Sequence, residues 1–303
     1  MAIKTFQEMV DAAKAMSEKT KIVVVNAQDE HTLDAIIEAK KEDIVSPILV
    51  GDTAAIEKII KDNGANPADF EIIQADDTDS AIKKSTDLVK SGDAHVLMKG
   101  KLQTAEIMRA IVHDDEMKRG GGMISLVGLY ETSGYHKIFA VSDMGMNTYP
   151  DLEGKKKILI NAVDLLHAMG IENPKVAVLS AVEKLNPKMP DTVDGDALKQ
   201  MNQKGEITGC IVEGPISFDL AMVPGAAEIK GYESPVSGDA DLLIVPDIVC
   251  GNVLVKCLTE IAGAATAGIM VGARVPLVIT SRSAKPTDKF YSIALAAFVG
   301  QNY

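Results

Sequence analysis

The stretch TSRSAKPTDKF at 280–290 places Ser281 and Arg282 at the end of an apolar run, with Asp288 shortly after them. A hydroxyl and a guanidinium together can hold a phosphoryl group, the first donating one hydrogen bond and the second two. A carboxylate nearby can take the proton of an incoming nucleophile. The same residues equally fit a loop followed by a helix start, where Asp is favoured. A second basic group lies in HVLMKGKLQTAEIMRAIV at 95–112. Lys99 and Lys101 flank Gly100 just past a strand pattern, and Arg109 lies on the helix that follows. Lysines at a strand end beside a helix N-terminus suit an anion, although a solvated strand end reads the same way. No G-x-x-x-x-G-K-[ST] occurs here, so this is not a P-loop.

Three further strand ends carry polar residues. FAVSDMGMNTYP at 139–150 leaves Asp143, Asn147 and Tyr149 as ligand contacts or turn residues. PDIVCGN at 246–252 brings Gly251 and Asn252 to a helix start, a place for an anion or amide contact. Cys250 in that segment has no Lys, Arg or His within four residues to lower its pKa, which favours a small buried apolar role over a nucleophile. GPISFDLAM at 214–222 reads as turn and cap around Asp219. RGGG at 119–122 lacks G-x-G-x-x-G spacing and reads as a hinge.

These residues need a scaffold that brings strand ends together. Short β-branched runs alternate with longer helical patterns: strands at 21–27, 47–51, 70–74 and 95–100, with helical segments between and after them. That alternation implies a mostly parallel sheet with helices on both faces. Strands at 123–131 and 136–143, joined by TSGY, read as a hairpin. A second series follows, with strands at 175–183, 209–215, 241–247 and 275–281, a helix from Gly251 running into a small-residue turn, and a final helix. Two βα series meeting near Gly120–Gly122 predict two α/β domains with an interdomain cleft, where such folds bind ligands.

Composition narrows the function. The chain has 303 residues and a net charge of −12, against the basic grooves that bind nucleic acid. It has no Trp and 4% aromatics, too few for base-stacking platforms. No run of 18 apolar residues spans a membrane. Three cysteines and five scattered histidines give neither a disulfide framework nor a zinc spacing. A cytoplasmic, metal-independent protein is expected.

Together these segments resemble one family, the phosphate acyltransferases with their acetyl and butyryl branches. The resemblance rests on AQDE at 27–30, ILVGD at 48–52, MKG at 98–100, NTYP at 147–150, IENPKVA at 171–177, NPKMPDT at 186–192, GPISFD at 214–219, GNVLVK at 251–256, and Ser281–Arg282 with Asp288. It covers nearly the whole chain and is closer to the butyryl branch. It implies an isocitrate/isopropylmalate dehydrogenase-like fold, with domain I at 1–120 plus 275–303 and domain II inserted at 121–274. It also implies a homodimer or dimer-based oligomer. The implied reaction is acyl-CoA plus phosphate giving acyl phosphate plus CoA, reversibly. Coenzyme A and phosphate are then substrates, with no bound cofactor.

On the same resemblance, Asp288 is the base for the CoA thiol, Arg282 binds the phosphoryl group and Ser281 orients it. Arg109 is a second anion contact. Lys99, Lys101, Asn252, Asp143 and Asn147 are the further expected substrate contacts. Lys99 stands where the acetyl branch has small residues, and Ser283 where it often has glycine; both weigh against acetyl specificity. The alternatives are an acetyl-preferring enzyme, an NAD-dependent metal-assisted dehydrogenase of the same fold, and a non-catalytic CoA-binding protein. The dehydrogenase needs clustered carboxylates, and no D-x-x-x-D set is visible.

Overall fold

The structure, a computed structural model, describes residues 3–119, 122–280 and 284–303. The chain divides into two compact units: Phe6–Met123 with Ala267–Tyr303, and Ile124–Thr266 with the residues ahead of Phe6. The divisions therefore fall at 5/6, 123/124 and 266/267, whereas the sequence boundaries lie at 120/121 and 274/275 and keep the residues ahead of Phe6 in the first domain.

The first unit opens with α1 (Phe6–Ala15), β1 (Thr20–Val25), α2 (Glu30–Lys41), β2 (Val45–Gly51), α3 (Thr53–Asp62), β3 (Glu71–Gln74), α4 (Thr78–Ser91), β4 (Val96–Lys99) and α5 (Thr104–His113). Strands β3, β2, β1 and β4 pair in that order, all parallel. Ile22, Val23, Val24 and Val25 are wholly buried, as a central parallel strand covered on both faces requires. Aspartates start the intervening helices: Asp29 caps α2, Asp52 caps α3, and Asp77 forms a capping box with Ser80 on α4, which stops at left-handed Gly92.

The second unit holds β5 (Ser125–Glu131), β6 (Phe139–Ser142), α6 (Leu152–Ala168), β7 (Lys175–Leu179), α7 (Pro190–Gln203), β8 (Ile211–Ile216), α8 (Phe218–Met222), α9 (Ala226–Lys230), β9 (Leu242–Ile244) and α10 (Ile248–Lys256). Its strands run in the order β5, β6, β9, β7, β8. The predicted hairpin is present, β5 and β6 being antiparallel, and the other pairs are parallel. Phe139, Val141, Leu179, Leu220 and Leu243 anchor the core of this unit.

The chain then returns through β10 (Ala265–Val271), β11 (Leu277–Val278) and α11 (Pro286–Gly300). In the first unit's sheet β11 lies parallel to β4, and β10 lies antiparallel beyond β11. The small-residue turn expected after α10 is corrected here. Helix α10 ends in a π-helical turn, Cys257–Ile261, and ATAGIMV that follows is a strand. Helix α11 packs on α1 and α2, where Phe6 and Tyr291 stack with ring centroids 4.7 Å apart. Among the described residues no helix is long and apolar enough to cross a membrane.

Candidate active site

In the first unit, the end of β4 presses against the end of β1. Gly100 N donates to Val25 O (2.9 Å) and Lys101 N to Asn26 O (2.7 Å). A Cβ on Gly100 would lie 2.3 Å from Asn26 O and 2.7 Å from Val25 O, so only glycine fits at this point of MKG. The crossing projects Lys99 and Lys101 from adjoining positions. Lys99 is half-buried, and its Nζ donates to Gly100 O (3.2 Å) and Leu102 O (3.0 Å). Lys101 and Arg109 are exposed.

Helices α5 and α11 differ from the Asp-capped helices. Neither residue at their N-cap positions, Gln103 and Lys285, makes a side-chain cap bond, though Glu106 accepts from Gln103 N at 2.7 Å. Each first turn instead carries an acidic residue, Glu106 in α5 and Asp288 in α11. Asp288 lies inside the first turn of α11, not at its cap. It is half-buried, and its backbone carbonyl accepts from Ser292 Oγ at 2.7 Å. Ser281 and Arg282 lie outside the described residues.

The AQDE and ILVGD motifs meet at the neighbouring strand ends. Asp29 accepts from Thr32 N (2.9 Å) and Thr32 Oγ1 (2.7 Å). Burial pushes its carboxyl up, but those bonds and the charges of His31 and Lys289 outweigh it and leave the pKa lowered.

In the second unit, Asp143 is 3% exposed and is enclosed by its own loop. Its Oδ1 accepts from Gly145 N (2.9 Å) and Met146 N (3.0 Å). Its Oδ2 accepts from Asn147 N (3.2 Å) and Asn147 Nδ2 (2.6 Å). Asn147 Nδ2 also donates to Ile124 O at 2.9 Å. The Ser142–Asp143 peptide is cis. This loop touches the start of α10, where Ile248 N donates to Thr148 O (3.0 Å) and a Cβ on Gly251 would lie 2.9 Å from Met144 Cβ. Asn252 is exposed one residue further on.

Cys250, expected to be buried, is exposed beside Asn252. Partial desolvation and the carboxylates Asp247 and Asp191 push its thiol up, which disfavours a thiolate.

One cluster was not legible beforehand. Ser217 Oγ donates to Glu183 Oε1 (2.6 Å), while Lys230 Nζ lies 3.0 Å from Glu183 and 2.9 Å from Asp219. Hydrogen bonds from Ser217 and Lys230 bring Asp219 down to about 2. Only GPISFD signalled it, and its partners come from distant segments. Among the described residues, no group of three His, Cys, Asp or Glu side chains is placed to hold a metal ion.

The chain matches the family model described as "Phosphate acetyl/butaryl transferase" over residues 5–85 and 78–297. It is 41% identical over 300 residues to a phosphate butyryltransferase of Clostridium acetobutylicum, with 99% of each chain covered. It is 40% identical over 281 residues to a phosphate acetyltransferase of Rickettsia prowazekii, covering 92% of this chain and 80% of that one. Its α/β fold is similar to a crystal structure of a branched-chain phosphotransacylase from Enterococcus faecalis, with a TM-score of 0.81, 29% identity, and 93% and 99% of the two chains covered. The chain therefore belongs to the phosphate acetyl/butyryl transferase family and is a phosphate acyltransferase, a class whose substrates are coenzyme A and phosphate.

Proposed function

We propose that this acyltransferase moves a short acyl group, butyryl or of similar size, between coenzyme A and phosphate. The observation that carries this reading is the end-to-end match to a butyryltransferase, 99% of both chains. Lys99 at the end of β4 supports it. In the direction of acyl-CoA synthesis, Asp288 takes the proton of the CoA thiol. That step is needed because a free thiol with pKa ~8.5 is mostly un-ionised at neutral pH. The thiolate then attacks the acyl phosphate carbonyl. The C–S bond forms, the C–O bond to phosphorus breaks, and phosphate leaves with the electron pair. Arg282 neutralises the leaving charge and Ser281 orients the group. Positioning and charge suffice for direct transfer.

Lys99, Lys101 and Arg109 are the proposed anion contacts of the first unit. The exposure of Lys101 and Arg109, at the start of α5 and along it, supports that reading. Asn147 and Asn252 are proposed substrate contacts of the second unit, and Asp143 is proposed to hold Asn147 in place for them. We infer an isocitrate/isopropylmalate dehydrogenase-like two-domain fold and a homodimer. The exposed Val249, Val253 and Ile261 along α10 and its π-helical turn support self-association.

Acetyl preference is the second reading, favoured by an acetyltransferase identity of 40% against 41%. Phosphate-dependent thiol release, measured across acetyl-, propionyl-, butyryl-, isobutyryl- and valeryl-CoA, decides between them. A profile peaking at four carbons is expected, and a flat or acetyl-peaked profile defeats the butyryl reading.

A further inference from the structure

Helices α1, α2 and α11 enclose a pocket of about 590 Å³ within the first unit. That volume lies in the range that holds small organic ligands. Val10, Ala35, Phe290 and Tyr291 give it apolar walls. Lys289 also lines it and is only 7% exposed. Among the described residues its ammonium makes no hydrogen bond or ion pair, and Asp29 is the carboxylate that feels its charge. The side chain is buried along its length while the ammonium keeps contact with the solvent that fills the pocket, so an anion entering the pocket can pair with it at little desolvation cost.

Other charges around the pocket define that anion further. Lys14 and Glu42 pair with each other and cancel. Pro286 and Thr287, in the first turn of α11, also line the pocket, and among the described residues no side chain caps that helix end. The positive end of the helix thus adds to Lys289. Asp34 and Glu38 stand exposed on α2 at the rim. They repel multiply charged anions such as CoA or phosphate, while one negative charge with an apolar body avoids them by seating its charge at Lys289. We propose that this pocket is a binding site for a small monocarboxylate with an apolar body, held by Lys289.

The pocket is not the site at Asp288. At about 100° per residue, positions 286, 287, 290 and 291 share one side of α11, and Asp288 lies on the other. A ligand here bears on the turn that carries the proposed base without touching it. That consequence rests on the proposed role of Asp288, whereas the site itself does not.

Titration calorimetry on the full chain tests the site, using butyrate, isovalerate, phenylacetate, phosphate and CoA. Saturable binding of at least one carboxylate is expected, undiminished by saturating CoA. Lys289→Met should weaken it about tenfold or more, and Lys289→Arg should retain it. No carboxylate binding up to tens of millimolar overturns the proposal. So does unchanged binding in Lys289→Met, or phosphate or CoA competing for the Lys289-dependent site. If melting curves show that Lys289→Met does not fold, Ala35→Phe fills the pocket without altering its charge. Binding that survives that substitution also overturns the proposal. Thiol release measured on the same samples reports the acyltransferase reading separately.

Discussion

Two strand-end loops, one in each unit, carry polar residues of similar promise and use them in opposite ways. After β6, Asp143 accepts four hydrogen bonds, three from backbone N–H groups and one from Asn147, all within its own loop. After β4, backbone bonds and the Lys99 ammonium, which donates to Gly100 O and Leu102 O, fix the turn through Gly100, and Lys101 remains exposed with Arg109 on the helix beyond. A buried carboxylate surrounded by donors organises a loop, whereas exposed cations on a turn fixed without them are available to a ligand. Residue type alone does not separate these cases; the location of the donors does.

The sharpest way to break this division is to remove the charges assigned to the reaction. Arg282→Gln should lower kcat/KM by about 10³ with the circular dichroism spectrum unchanged, the upper end of the loss when one group that stabilises developing charge in an acyl transfer is removed. Wild-type turnover would remove Arg282 from the site. Asp288→Asn should cost ~10²–10⁴ in acyl-CoA synthesis, the span of a lost general base. An unchanged rate would leave Asp288 with a structural role alone.

Next come the residues that build the loops. Asp143→Ala should lower the unfolding free energy by about 1–3 kcal/mol in urea, since it removes a buried carboxylate that four hydrogen bonds share. A loss under about 1 kcal/mol would mean that the loop is held by other contacts. Gly100→Ala should cost about 1–3 kcal/mol, because its Cβ meets backbone oxygen that cannot move aside without disturbing β1. The smallest stability effect belongs to Lys101→Ala, within about 0.5 kcal/mol. Its effect should appear instead as a raised KM for phosphate or CoA, and an unchanged KM places Lys101 outside the site.

Much of the scaffold was legible because its signals are local. Asp29, Asp52 and Asp77 announce helix starts, and the valines of β1 announce a buried strand. Strand β10 was not legible, since ATAGIMV is rich in small residues and its place depends on β11, a partner reached through a loop. Helix α7 gave no clear period because its buried face consists of Thr192, Gly195 and Leu198, only one of them a large apolar residue. At the strand ends, residue types indicated anion chemistry, but not that Asp143 would be enclosed by its neighbours. The Glu183–Ser217–Lys230 cluster joins three separate segments, so GPISFD marked its middle and no local pattern marked Glu183 or Lys230.

The Asp143 loop has a consequence for how this segment exchanges with solvent. Gly145, Met146 and Asn147 belong to no helix or strand, yet each amide proton is bound to a carboxylate that is 3% exposed. In deuterated buffer they should exchange slowly, at the pace of a strand rather than of a surface loop. Removing that single side chain, as in Asp143→Ala, takes away all three acceptor contacts together, and the protection of the three amides should be lost as one.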